Sequence, residues 1–448
     1  MRRINWSEPL SRPERPVDVA IIGAGHRANF IYGPLWETMR PWLRLVAVCD
    51  PVRAHAESYA AKHGCRAYTS IRELARDHVA EAAIVVTPPE SHASIATFLA
   101  SHRVHCLVET PLCMLPEEAR VMVETARANR VLCRVAENFL RDPVARFSQA
   151  VRDAGTIGVI RRISCTASHT GYHNCSQWIA FAQAHPQWVQ SIGHAMPTVG
   201  FDSSPNRSHD REDFTARFFG FADGLLVAET MANVKGFLGR QPRPGLNEWQ
   251  GESGTLVQRA TVSTMWEHRV HHADGRIEPG QAGTAWPYVL ELRLSEPERR
   301  GIGPGGAQGF ATAVCPVCEE SDAAGAWTRS HACTPLGRVE HVNPFRPLRR
   351  CENLQSWYGA PLIDLMTDFA LAIRALRVSE FDDLDAAASL AMELLAEESA
   401  SQDGRRLPFT LYPETGVGAR RRAAIRQRLG ADPLDHEAML ALVYPDRF

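Results

Sequence analysis

Gly23-x-Gly25-x-x-Ala28 is the segment whose residue types and spacing point most directly to chemistry. The first glycine permits a tight turn, and the second lets backbone amides approach a pyrophosphate. The small third residue lets helix and strand pack closely. His26 and Arg27 lie inside this turn, where a following helix would aim its N-terminal amides at phosphate oxygens. Asp50 ends the next apolar run and suits a carboxylate that grips ribose hydroxyls. Its charge repels a 2′-phosphate, which favours NAD over NADP, while nearby Arg53 softens that preference and leaves NADP possible. Cys315-x-x-Cys318, followed by His331, Cys333, His341 and Cys351, has the makings of a tetrahedral zinc site. A second C-x-x-C is missing, so free thiols are the preferred reading and no metal site is assigned. Lysine occurs only at Lys62 and Lys235, so a mechanism that needs an amine has two candidates. The arginine-rich run 420–428 reads as a solvated helix face or an intersubunit contact.

These groups need elements to hold them. Residues 17–22, 43–50, 82–87, 105–109 and 131–135 are short apolar, β-branched runs of the kind found in buried parallel strands. Helical stretches at 54–63, 93–101 and 117–129 alternate with them, which predicts a doubly wound parallel sheet. Beyond residue 140 the pattern changes. Residues 159–166, 214–221 and 225–231 read as strands without regular helices between them, and 275–350 is rich in Gly, Pro and Arg. Helices return at 362–377 and 384–401. The reading is α/β: an N-terminal arm (1–16), a Rossmann domain (17–140), an α+β domain on an open-faced, largely antiparallel sheet (141–410), and a C-terminal extension (411–448). The apolar end of that extension packs against the body or a neighbouring subunit.

The chain has 448 residues, 45% hydrophobic and 22% charged, with a formal charge of −2. That composition is globular and carries no basic footprint for nucleic acid. No apolar run is long enough to span a membrane, and no secretory signal is read at the start. An odd number of cysteines, eleven, fits free thiols in a reducing cytoplasm.

Further landmarks follow in order. They are Thr87-Pro88-x-x-x-His92, Glu109-Thr110-Pro111, Asn138-x-x-Arg141-x-Pro143, Gly155-x-Ile157-Gly158 and a closing helix through Ser399-Ala400. Together they resemble the Gfo/Idh/MocA oxidoreductases over roughly residues 16–410. The resemblance implies a Rossmann domain, a sheet domain, a cleft between them and self-association. It also implies that Thr87, Pro88, His92, Glu109 and Asn138 face the cofactor. The implied activity is NAD(P)-dependent hydride transfer with a sugar, polyol or cyclitol. An enzyme with transient oxidation and no net redox change, and a non-catalytic sensor, are the alternatives.

Two departures stand out. The family's catalytic lysine in Glu-Lys-Pro is Thr110 here, and a hydroxyl is a poor acid or base. The family's D-x-G-x-H-x-x-D pattern is matched only loosely, by Ser191-x-Gly193-His194. A histidine is therefore expected to take over proton transfer, because its charge changes near neutral pH. His194 is the first candidate. His169 and His173 follow, in a segment where Gly171 argues against a regular helix, and Lys235 is the remaining option.

Overall fold

The computed structural model describes residues 12–167, 171–204, 207–232, 246–260, 269–271, 277–279, 288–295, 312–323, 327–344, 356–376 and 379–445. Six parallel strands form the first sheet: β1 (Val17–Ile22), β2 (Leu43–Cys49), β3 (Arg66–Tyr68), β4 (Ala82–Val85), β5 (His105–Val108) and β6 (Cys133–Val135). They lie in the order β3-β2-β1-β4-β5-β6. The order reverses between β1 and β4, which opens a crevice at the carboxyl ends of the strands. Every residue of β4 is buried, as a strand covered by helices on both faces requires. β3 is too short to show a pattern in sequence; it exists because Ala47–Cys49 of β2 pairs with it.

Helices α1 (Trp36–Met39), α2 (Arg53–His63), α3 (Ile71–Arg76), α4 (His92–Ser101) and α5 (Pro116–Ala128) cover this sheet. In α5, Glu118 folds back to accept hydrogen bonds from the amides of Met114 (3.0 Å) and Leu115 (2.9 Å). This caps the first turn, but the carboxyl is buried, and burial pushes its pKa up to about 8. A raised pKa in the folded state contributes stability below the ordinary carboxylate value, and that stability is lost as pH rises towards 8. Glu118→Gln keeps an acceptor oxygen without the charge. The variant should melt like the parent near pH 4 and be more stable near pH 8, by on the order of a few kcal/mol. Calorimetric scans at the two pH values check this.

After β6 the chain crosses into α6 (Pro143–Asp153), which Asp142 caps by accepting from the Ala145 amide at 2.7 Å. The crossing is locked by a buried ionic cluster. Arg141 donates to Asp364 (2.6 Å) and Asp368 (3.0 Å), and Arg146 donates to Asp364 (2.5 Å) and Glu380 (2.6 Å). Asp364 and Asp368 belong to α8 (Ser356–Ile373). Leu362, Met366 and Phe369 of α8 pack into the same core as Val19, Ile21 and Leu43 of the first sheet. A late helix thus returns to the Rossmann unit.

The second sheet runs β14-β13-β8-β9-β10-β7-β11-β12-β15-β16. Its strands are β7 (Ile160–Ala167), β8 (Trp188–Ser204), β9 (Arg207–Gly220), β10 (Leu226–Ala232), β11 (Leu246–Gly251), β12 (Gly254–Ala260), β13 (Arg269–His271), β14 (Ile277–Pro279), β15 (Tyr288–Ser295) and β16 (Thr312–Pro316). Among the described residues its pairings are antiparallel except β10 with β7. One face packs under α7 (Gly171–Ala182) and α9 (Asp383–Ser401), whose residues share a core with Ile163, Phe219 and Val227. β17 (Cys318–Ser321), β18 (Trp327–Thr334) and β19 (Gly337–Val342) form a small third sheet within the Gly- and Pro-rich stretch. β20 (Leu407–Pro408) edges β8, and α10 (Gly416–Leu429) and α11 (His436–Val443) end the described chain. No helix of the described residues is long and apolar enough to cross a membrane.

One expectation is corrected, and one left open between two alternatives is narrowed. A helix does lie between the first two strands of this unit, and it begins at Gly171 itself. The glycine is there for space rather than for a turn. A Cβ at that position would collide with the Arg217 guanidinium and the Glu393 carboxylate. The apolar C-terminal end packs on the body, where Leu440 and Tyr444 join the core beside α4.

Candidate active site

The site is assembled at the carboxyl rim of the first sheet. Gly23 leaves β1 at φ +96°, and an added Cβ would come within 3.1 Å of the Val86 carbonyl after β4. Only glycine suits both constraints. At Gly25 an added Cβ would meet nothing within 4 Å, so the backbone there borders open space. Asp50 is buried. Its two oxygens accept the amides of Ala24 (2.8 Å) and Val52 (2.9 Å), which ties the fingerprint turn to the end of β2. A carboxylate has about four acceptor sites, so capacity for ribose hydroxyls remains. The cradle at Gly25 and this carboxylate fit a dinucleotide. The turn amides would hold its pyrophosphate, and Asp50 would hold the ribose.

The other expected cofactor residues cluster around the same rim. Glu109 accepts from Arg27 Nε (2.7 Å), the Tyr32 hydroxyl (2.9 Å) and the Thr110 amide (3.0 Å). It thereby fastens the fingerprint helix to the segment that carries Thr110, and Thr110 Oγ1 stands 3.5 Å from the same carboxylate. His92 is fully buried between two carbonyls, Pro111 O on Nδ1 and Thr87 O on Nε2, each at 2.9 Å. It joins two motif turns, and burial lowers its pKa. Ser91 Oγ donates to the Pro88 carbonyl at 2.7 Å and lies 2.9 Å from the Thr87 hydroxyl. Asn138 is buried just past β6. His26 stacks on Phe30 with ring centroids 4.2 Å apart. Arg53 starts α2 and pairs with Glu57 at 3.4 Å.

Among the proton-transfer candidates, the structure brings His173 to the rim. Glu109 follows the last residue of β5, and Ala136 follows the last residue of β6; the Ala136 amide donates to the Val108 carbonyl at 2.7 Å. Glu137 therefore emerges beside the Glu109–Thr110 step. His173, in the first turn of α7, places Nδ1 2.8 Å from Glu137 Oε2. The imidazole is buried, stacked on Phe139 with centroids 4.3 Å apart, and flanked by Tyr172. Ser176 Oγ donates to the same carboxylate oxygen at 3.0 Å. Below this turn, Arg217 holds the Gly171 carbonyl at 3.3 Å and grips Glu229 at 2.7 Å, while Asn174 also donates to Glu229. His194 lies elsewhere, exposed on β8 opposite Phe214. His169 and Lys235 lie outside the described residues.

The cysteine constellation does not converge. Cys315 is buried, Cys318 and Cys333 are exposed, and His341 is buried against Trp327, where its pKa falls to about 3. Cys351 lies outside the described residues, and no metal-binding cluster occurs among the described ones.

Comparison with known proteins decides what this rim belongs to. A family model described as an oxidoreductase family with an NAD-binding Rossmann fold, GFO_IDH_MocA, matches residues 17–137. Residues 17–137 are thus similar to the nucleotide-binding unit of the Gfo/Idh/MocA oxidoreductases. The scyllo-inositol 2-dehydrogenase (NAD(+)) of Bacillus subtilis is 30% identical over 148 residues, which is 32% of this chain and 42% of that protein. The D-glucoside 3-dehydrogenase of Escherichia coli is 30% identical over 154 residues, 34% of this chain and 43% of that protein. The match thus spans less than half the length of either relative. An oxidoreductase from Agrobacterium radiobacter, solved with NAD+, L-tartaric acid and magnesium, aligns over 90% of this chain and 99% of its own, with a TM-score of 0.58 and 16% identity. That likeness extends the shared fold through both sheets.

Within the Gfo/Idh/MocA frame, the D-x-G-x-H-x-x-D spacing is met without any shift by His169-x-Gly171-x-His173-x-x-Ser176. The acids are replaced, but glycine and histidine fall in place on a helix. At Ser191–His194 the backbone is a strand. Glu137, which holds His173, was not among the sequence-derived candidates.

Proposed function

We propose that this protein is an NAD-dependent oxidoreductase that acts on a carbinol of a sugar-, polyol- or cyclitol-like substrate. The observation that carries the reading is the Glu137–His173 pair, which follows β6 as Glu109–Thr110 follows the neighbouring β5, at the rim that also presents the Gly23–Ala28 turn. When bound, the nicotinamide supplies the hydride acceptor. The chain's own residues do the rest. Glu137 holds Nδ1 of His173 and so orients the imidazole, the base assigned to the substrate hydroxyl proton. Thr110 lies where the family places lysine and has only a hydroxyl to offer the substrate oxygen as a hydrogen bond. Asp50 selects the unphosphorylated ribose, which makes NAD the preferred cofactor. The names of the two curated relatives support a cyclitol or glycoside as substrate class.

Self-association is part of this reading. Strand register sets Ile192, Leu246, Val289 and Val314 on one face of the second sheet, and all four are exposed. A sheet face that leaves four large apolar side chains in solvent suits a second copy of the chain. The free thiols suit a reducing cytoplasm, and the near-neutral charge gives nucleic acid no purchase.

The test is a screen of inositols, free sugars, glycosides and nucleotide sugars for NAD+ reduction, followed as absorbance of NADH. Substrate-dependent reduction supports the reading. Tightly retained NAD with no external turnover would favour internal oxidation and re-reduction instead.

A further inference from the structure

The C-terminal helices reach back to the nucleotide crevice from the far end of the chain. α11 packs against α4 and the turn at Pro89–Ser91. Its Leu440 and the following Tyr444 are buried in the core that also holds Tyr68, Ala93 and Ala96. Two ion pairs tie this segment down. Arg428 of α10 meets Glu90, inside the Thr87–His92 turn, and Arg72 of α3 meets Glu437 at 2.9 Å. Within the arginine run, Arg421 pairs with Glu397 at 2.7 Å and Arg422 with Asp432 at 2.8 Å, while Arg420, Arg426 and Arg428 remain exposed.

One atom connects this segment to the fingerprint. The Cys49 carbonyl accepts the Gly23 amide at 2.8 Å, and the Tyr444 hydroxyl stands 3.5 Å from the same oxygen. Cys49 immediately precedes Asp50, and the Asp50 amide donates to Tyr68 at 3.1 Å, in the core that Tyr444 fills. The peptide that aims Asp50 and anchors Gly23 is thus packed from below by the C-terminal tyrosine. The hydroxyl contact is long and weak. The filled volume under the peptide does most of the positioning, because a buried aromatic ring leaves a large void when it is removed.

We propose that the C-terminal extension is an intramolecular brace for the nucleotide site, with Tyr444 as the positioning residue for Asp50 and Gly23. This rests on the reading of that crevice as an NAD site. Asp50 rejects a 2′-phosphate only while it is held in place, so the brace sets both affinity and the preference for NAD over NADP.

Full-length parent, Tyr444→Ala and Tyr444→Leu proteins, each confirmed folded by circular dichroism, would be titrated with NAD+ and with NADP+ by calorimetry. Tyr444→Ala should weaken NAD+ about tenfold, equivalent to about 1.4 kcal/mol, and weaken NADP+ less, so that the ratio of the two Kd values moves towards one. Tyr444→Leu, which refills part of the volume, should fall between parent and alanine, and it carries the test if the alanine variant does not fold. A structural role alone would lower the folded fraction and leave the ratio unchanged. A folded variant with both affinities and their ratio within about twofold of the parent would overturn the brace. A parent that binds neither nucleotide would overturn the NAD reading and the brace with it.

Discussion

His173→Ala should lower kcat by about 10²–10⁴-fold while leaving the Kd for NAD+ within about twofold of the parent. The imidazole is the proton acceptor in this account, and its removal leaves only the neutral Thr110 hydroxyl beside the reacting oxygen. Glu137→Gln should cost roughly 10–10²-fold in kcat, because an amide can turn its NH2 towards Nδ1 and fix the wrong tautomer. Circular dichroism of each variant separates lost chemistry from lost folding. His194→Ala should keep turnover within about twofold of the parent, since its side chain projects from an exposed strand face. Equal losses at His194 and His173 would contradict the assignment.

Gly25→Val should abolish NAD+ binding, with at least about a hundredfold rise in Kd, and leave the melting temperature nearly unchanged. A Cβ at Gly25 touches nothing in the protein, so the fold tolerates it, yet it enters the space a pyrophosphate needs. The neighbouring Gly23→Ala behaves differently. It forces an alanine to φ +96° and against the Val86 carbonyl, which should cost on the order of 1–3 kcal/mol of stability. Measuring affinity and melting for both variants distinguishes a ligand cradle from a structural turn. Two glycines lost to stability alone would leave the cradle without support.

How much of this was legible in the sequence depends on how local each signal is. The fingerprint is local: a buried strand, Gly23, Gly25, a helix and Asp50 after the next strand all lie within one βαβ unit, and the structure keeps that order. α7 was not legible, because Gly171 lowers helix propensity while its reason is tertiary, the close approach of Arg217 and Glu393. The G-x-H spacing is unshifted at Gly171 and His173 and one residue short at Gly193 and His194. There the register with β9 fixes a strand. Glu137 showed no pattern because its meaning comes from a histidine on another element. β3 and the C-terminal brace were hidden for the same reason. Each is fixed by a partner distant in the chain, Tyr444 by Cys49 and Arg428 by Glu90. The ionic cluster at the domain crossing was half legible, since Arg141 belongs to a motif, while Asp364 and Asp368 come from a helix far along the sequence.

The most direct test of the account is nucleotide binding by the purified chain. The protein would first be denatured and assayed for released nucleotide, then titrated with NAD+, NADH, NADP+ and NADPH. The account predicts NAD(H) binding, with NADP(H) weaker because of Asp50. A chain that releases no nucleotide and binds none of the four would contradict it, and the Gly23–Ala28 turn would then be a structural feature alone.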